Sequence, residues 1–131
     1  MQLCNWCGLK RTSKLAGMDK RKILVFDTET TGLHPSTDEI LQITILDGGG
    51  ATLFDSYIRP KHRKTWKSAE KINHISPEMV KDAPLFSDVL SQIQDLFDGA
   101  EVVVGYNVVR FDIGFVEKQG VVVHGKVFDV M

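Results

Sequence analysis

The chain has 131 residues, 43% of them hydrophobic and 25% charged, with a formal net charge of −1. These are the proportions of one ordinary globular domain with enough apolar residues to bury a core. No apolar run approaches the length of a membrane span, and the charged N-terminal stretch lacks the apolar segment of a secretory signal, so a cytoplasmic location without a membrane partner is expected. Near-neutrality excludes nucleic-acid binding by bulk charge alone, but the charge is uneven: residues 1–22 carry six Lys or Arg against one acid, and the remainder ten against sixteen.

The basic segment, residues 1–18, contains both cysteines in "CNWC" (Cys4, Cys7). One Cys-x-x-Cys pair is half of a four-ligand zinc site, and no second pair follows, so the segment is expected to be a flexible tail without zinc or redox chemistry. A domain is expected over residues 19–131, with its first strand in the apolar run Ile23–Phe26. "TTGLHPSTDE" is punctuated like a loop. "ILQITIL" (40–46) and "ATLFDSYI" (51–58) flank "DGGG" and predict a hairpin.

"RPKHRKTWK", Arg59 to Lys67, is a second basic cluster, read equally as a solvated loop or as a loop that contacts phosphates. "KSAEKINHISPEMVKDAP" predicts two short helices divided at Ser76-Pro77, with Ser76 as cap and Pro77 in the first turn. In "LFSDVLSQIQDLFDGA" the residues Phe86, Val89, Leu90, Ile93, Leu96 and Phe97 recur at helical spacing, and Gly99 closes the run. "EVVVGY" predicts another buried strand and "FDIGFVEKQG" a helix ending at Gly120. "VVV" and "VFDVM" predict short strands. This order is that of an α/β fold, a mixed sheet carrying helices, with the strands at Ile23 and at Val102–Val104 both central.

The chemistry centres on "FDTETTGL". Side chains two apart on a strand share a face, so Asp27 and Glu29 project together while Thr28 points the other way. Like charges at the lip of a buried strand need a cation between them, and crowded carboxylates suit Mg²⁺ or Mn²⁺. Asp112 follows the second central strand, early in a helix. If the two strands are neighbours, it reaches the same end of the sheet.

Together, "FDTETTGL" and "VGYNVVRFDIGF", with "DEILQITILDGGG", "YIRP" and "INHISPEMVKDAPLF" between them, resemble the motifs of the DEDD-type 3′→5′ exonucleases of the RNase H-like superfamily. The resemblance runs from about Lys22 to Met131. It implies an RNase H-like mixed sheet with flanking helices. It also implies hydrolysis of nucleic-acid 3′ ends to nucleoside 5′-monophosphates, with two Mg²⁺ or Mn²⁺ ions held by Asp27, Glu29 and Asp112. By the same resemblance Thr30 and Leu33 lie against the terminal nucleotide, and Ile72, Asn73 and Asn107 match positions near its base or sugar. Packing is the expectation for Ile72 and contact for Asn73. Single-stranded 3′ ends, DNA ahead of RNA, are the implied substrate, and a DNA polymerase is an implied partner. One departure is visible: three residues rather than the common two separate Asn107 from "FD".

The family's third motif supplies a His and, five residues on, a final Asp, both on a late helix. His124 and Asp129 have that spacing, but "VVVHGKVFDVM" is β-branched and broken by Gly125, so a strand is expected there, with neither residue catalytic. The expected domain is therefore incomplete at its C-terminus, with impaired activity and with apolar sheet surface left bare. The competing reading is a non-catalytic module of the same fold that binds nucleic-acid ends or a polymerase.

Overall fold

In a computed structural model of the chain, which describes residue 17 and residues 19–106 and 109–130, a 3-10 turn at Lys20–Lys22 leads into the first strand, β1 (Ile23–Thr30). There follow β2 (Ile40–Asp47), β3 (Thr52–Tyr57), α1 (Lys67–Asn73), α2 (Pro77–Val80), α3 (Phe86–Asp98), β4 (Val102–Tyr106), α4 (Val109–Lys118) and β5 (Lys126–Val130). The Cys4/Cys7 tail and Asn107 lie outside the described residues.

The strands form one sheet in the order β3-β2-β1-β4-β5. β1 pairs antiparallel with β2 and parallel with β4, and β5 is parallel to β4. β1 is therefore central, as its unbroken apolar start predicts. The β2–β3 hairpin forms as expected. Because β1 and β4 are parallel neighbours, the loop after β1 and the start of α4 lie at the same end of the sheet.

Alternation along β1 divides the core. Leu24 and Phe26 point to the face on which α3 and α4 pack, in a cluster with Ile43, Ile45, Ile93, Phe97, Val103, Phe115 and Val116. Phe97, on the apolar stripe of α3, meets Phe26 edge to face at 5.3 Å. Ile23 and Val25 point the other way and cluster with Leu46, Val102, Val104 and part of Phe128. Ile23, Val25, Leu46, Val102 and Val104 are buried, so the expectation of a bare apolar sheet surface is not met there.

A third cluster, Leu41 with Trp66, Ile75 and Val80, seats α1 and α2, and the Trp66 indole N–H donates to the Ile75 carbonyl at 2.7 Å. The two helices divide at Ser76 as expected. Its hydroxyl accepts from the Met79 amide, and Pro77 occupies the first turn.

One element departs from expectation. Val121–Val123 is not a strand, because the Gln94 side chain takes the place of a ladder partner. Gln94 donates to the Val122 carbonyl at 2.9 Å and accepts from the Val122 amide at 2.8 Å. The following segment, Lys126–Val130, is a strand as predicted and not a helix.

Candidate active site

β1 ends in Asp27-Thr28-Glu29-Thr30, and its pleat separates the acids from the threonines. Asp27 and Glu29 continue the face of Ile23 and Val25, while Thr28 continues the face of Phe26. Burial is the main force raising the pKa of Asp27. Glu29 is raised by burial first and then by the Asp27 charge beside it.

Asp112 sits in the first turn of α4 and is 3% exposed. It reaches β1 through Thr28, whose hydroxyl donates to Asp112 Oδ1 at 2.5 Å. Burial pushes the Asp112 carboxyl up to about 7. The Thr28 hydrogen bond opposes this rise, and the charges of Asp27 and Glu29 add to it. The three acids therefore share one electrostatic site, with Asp112 approaching from the helix side and the pair projecting from the other face. Among the described residues, no three His, Cys, Asp or Glu side chains are gathered tightly enough to hold a single ion. The hard-oxygen chemistry of the set, and the mutual repulsion that raises it, nonetheless fit a divalent cation shared between Asp27 and Glu29.

Beside Glu29 lies a mostly apolar cleft of about 320 Å³, and its lining includes Thr30, Leu33, Ile72, Asn73 and Phe111. Leu33 is 75% exposed and Ile72 is 83% exposed, so Ile72 does not pack into the core as expected but stands at the rim of the cleft. Ala69, one turn earlier on the same helix, both lines the cleft and packs against the Leu41 cluster, while Ile72 stands at the cleft's open side. Asn73 lines the cleft, yet both ends of its amide are engaged within the protein. Nδ2 donates to the Thr30 carbonyl at 3.1 Å and Oδ1 accepts from the Ile75 amide at 3.0 Å. It thus fastens α1 to the end of β1, just before His74 closes the helix in the left-handed conformation (φ 60°).

The loop after β1 is held by Asp38. Its carboxylate accepts from the Thr31 hydroxyl at 2.9 Å and the His34 amide at 3.1 Å, and it pairs with Arg63 at 3.1 Å. Any side chain at Gly32 would run into this carboxylate, so the tight turn of "TTGL" requires glycine there. Glu39 is similarly engaged, accepting from the successive backbone amides of Lys61, His62 and Arg63 at 2.6, 2.9 and 2.7 Å.

Sequence reasoning did not single out Thr28, Phe111, Asp38 or Glu39. Thr28 carries a usable signal, a polar residue on the buried face between two acids. The partnership of Asp38 and Glu39 with the basic loop spans more than twenty residues and has no local signature.

His124 is not at the site, and Asp129 lies at the acid end of the sheet but away from the acid pair. The register Ile23–Val102–Lys126 puts His124 at the opposite end of the sheet from Asp27, where it pairs with Asp98 at 3.4 Å. Asp129 is exposed on edge strand β5, two strands from β1 and so about 10 Å away.

The family described as Exonuclease (RNase_T) matches residues 24–127. The chain belongs to this exonuclease family. Relatives at the sequence level include the PolC-type DNA polymerase III of Caldanaerobacter subterraneus, 33% identical over 117 residues, which are 84% of this chain and 8% of that protein. The 3′-5′ exonuclease DinG of Bacillus subtilis is 36% identical over 104 residues, 76% of this chain and 11% of the relative. The chain thus spans about a tenth or less of the length of these relatives. Among solved structures, a product-bound exonuclease I superimposes with a TM-score of 0.68 at 22% identity, covering 82% of this chain and 29% of the other. E. coli exonuclease I in complex with a dA16 oligonucleotide gives a TM-score of 0.62 at 24% identity, over 72% and 22% of the two chains. These likenesses bear out the RNase H-like exonuclease fold, and the acid pair and cleft lie within the family-matched span.

No helix among the described residues is long and apolar enough to cross a membrane.

Proposed function

We propose that residues 19–131 form a 3′→5′ exonuclease domain that removes nucleoside 5′-monophosphates from single-stranded 3′ ends, DNA ahead of RNA. The observation that carries this reading is the position of Glu29. It belongs both to the acidic pair at the end of β1 and to the wall of the apolar cleft. A nucleotide seated between Leu33 and Ile72 would bring its phosphate to the carboxylates. Phe111 offers a ring to the same space, and Thr30 and Asn73 hold the wall in place.

Asp27 and Glu29 would hold the divalent ions, Mg²⁺ or Mn²⁺, with Asp112 as a further ligand reached through α4. Bound there, such ions supply Lewis-acid activation of water and stabilise the departing 3′ oxygen. The chain's own contribution is to fix the acids on a rigid strand, to keep Asp112 oriented through Thr28, and to place the terminal base in a mostly apolar cleft. The general base and a fourth carboxylate, which the family resemblance places on a late helix, are not supplied by His124 and Asp129. The PolC-type and DinG relatives support an association with replication or repair, and with it a polymerase partner.

The test is degradation of a 5′-labelled single-stranded oligonucleotide with Mg²⁺ or Mn²⁺ by the chain and its Asp27→Ala variant. A slow ladder, abolished by both EDTA and Asp27→Ala, is expected, since loss of a positioned base costs roughly 10²–10⁴-fold in rate. A folded protein that binds the strand but leaves it intact in both metals would refute the enzymatic reading in favour of a non-catalytic end-binding module.

A further inference from the structure

The basic cluster Arg59–Lys67 runs up to the cleft at its C-terminal end, where Ser68 and Ala69 line it, and is not a loose surface loop. Its first half is clamped by the three backbone bonds to Glu39. Arg63 is tied to Asp38, which in turn holds Thr31 of the cleft wall. Its second half is anchored by the buried Trp66, and Lys67 directly precedes Ser68 and Ala69, which line the cleft. The C-terminal end of the segment is therefore fixed at the cleft, its N-terminal end is held by the Pro84 and Ala83 carbonyls beside a second cavity lined by Arg59, Pro60 and Lys61, and its backbone is oriented by buried acids.

The charge that faces outward is uncompensated. Lys61, Lys64 and Lys67 are exposed, and among the described residues no carboxylate pairs with any of them. Glu39 does not neutralise them at their tips, because it is buried and occupied by backbone amides. A chain with net charge −1 that keeps three unpaired lysines on a clamped loop ending at the cleft presents a local cationic strip suited to a phosphodiester backbone.

We infer that Lys61, Lys64 and Lys67 form a track for the single strand leading into the cleft, binding its phosphates upstream of the terminal nucleotide. This deepens the exonuclease reading and rests on it. The track confers strand-length preference: an oligonucleotide engages the strip, and a dinucleotide reaches only the cleft.

Binding is measured in EDTA, so that no cleavage intervenes, using a fluorescent single-stranded oligodeoxynucleotide of about twelve residues and a labelled dinucleotide. The proteins are the chain, a Lys61→Gln/Lys64→Gln/Lys67→Gln variant and a charge-matched Lys20→Gln/Lys22→Gln/Lys126→Gln control at the far end of the sheet. Three lost phosphate contacts should make the slope of log K against log salt shallower by about 2 for the longer strand. The dinucleotide should show no change in slope, and the control variant none with either ligand. An unchanged slope in the loop variant, an equal loss in the control, or an equal loss with the dinucleotide would each overturn the track. Hydrolysis of the p-nitrophenyl ester of thymidine 5′-monophosphate by the unsubstituted chain, a substrate with no upstream strand, separates this failure from failure of the exonuclease reading. Hydrolysis with unchanged slopes leaves the exonuclease and removes the track.

Discussion

Asp112→Asn should flatten the pH dependence of stability in metal-chelating buffer. The Asp112 carboxyl rises from the usual 3.8 to about 7, first because it is buried. Its folded-state proton affinity therefore exceeds its unfolded one, and stability falls as pH rises through the interval between the two values. Below about 4 both states are protonated and the group is neutral in its effect. Above about 7 the full penalty applies, on the order of 4 kcal/mol for a group this deeply buried. Between about pH 5 and about pH 8 the linkage relation gives a loss of about 2.5 kcal/mol. For a domain of this size that corresponds to roughly 10 °C in Tm. Asp27 and Glu29 are also raised, so they contribute with the same sign. The amide of Asn retains an oxygen to accept from Thr28 and carries no charge. Thermal unfolding in EDTA at both pH values should show the drop in the unsubstituted chain, and the variant should gain stability at the higher pH. Mg²⁺ should recover much of the loss in the unsubstituted chain and little in the variant. Equal Tm values at the two pH values, or the same drop in Asp112→Asn, would refute the reasoning.

Thr28→Val removes the hydroxyl that opposes the rise in the Asp112 pKa, leaving Oδ1 without its 2.5 Å donor. A hydrogen bond to a charged group is worth about 1.5–3 kcal/mol. Urea unfolding at about pH 8 should show a loss of that size. Thr28→Ser should restore most of it, and the pH at which stability declines should move upward in the Val variant. Glu39→Gln replaces the carboxylate that holds three successive amides of the basic loop. Its expected cost is about 2 kcal/mol, read by urea unfolding. Limited trypsinolysis should cut faster after Lys61, Arg63 or Lys64, and unchanged cleavage there would show that the loop holds without Glu39.

The sequence by itself determined all but one of the strands and helices and the face that Asp27 and Glu29 share. The continuous apolar run Ile23–Phe26 required a central strand, and the spacing Phe86, Val89, Ile93, Phe97 required a helix with one buried face. The two-residue period put Asp27 and Glu29 on one side and Thr28 on the other. These are short-range facts, because strand pleat and helix turn are properties of neighbouring residues. The tertiary structure decided what those residues meet. Ile72 looks like a core residue by composition and stands 83% exposed at the cleft rim, while the inward contact of this part of the fold is made by Trp66, Ile75 and Ala69. Val121–Val123 has the makings of a strand, but Gln94, twenty-eight residues before Val122, takes its backbone bonds. His124 and Asp129 keep a catalytic spacing, and parallel pairing of β5 with β4 separates them across the length of the sheet. The clamp of Glu39 on Lys61–Arg63 and the approach of Asp112 to Thr28 across 84 positions both join segments distant in the chain. Which side chain fills a given contact depends on the packing of the whole fold, and no local period encodes it.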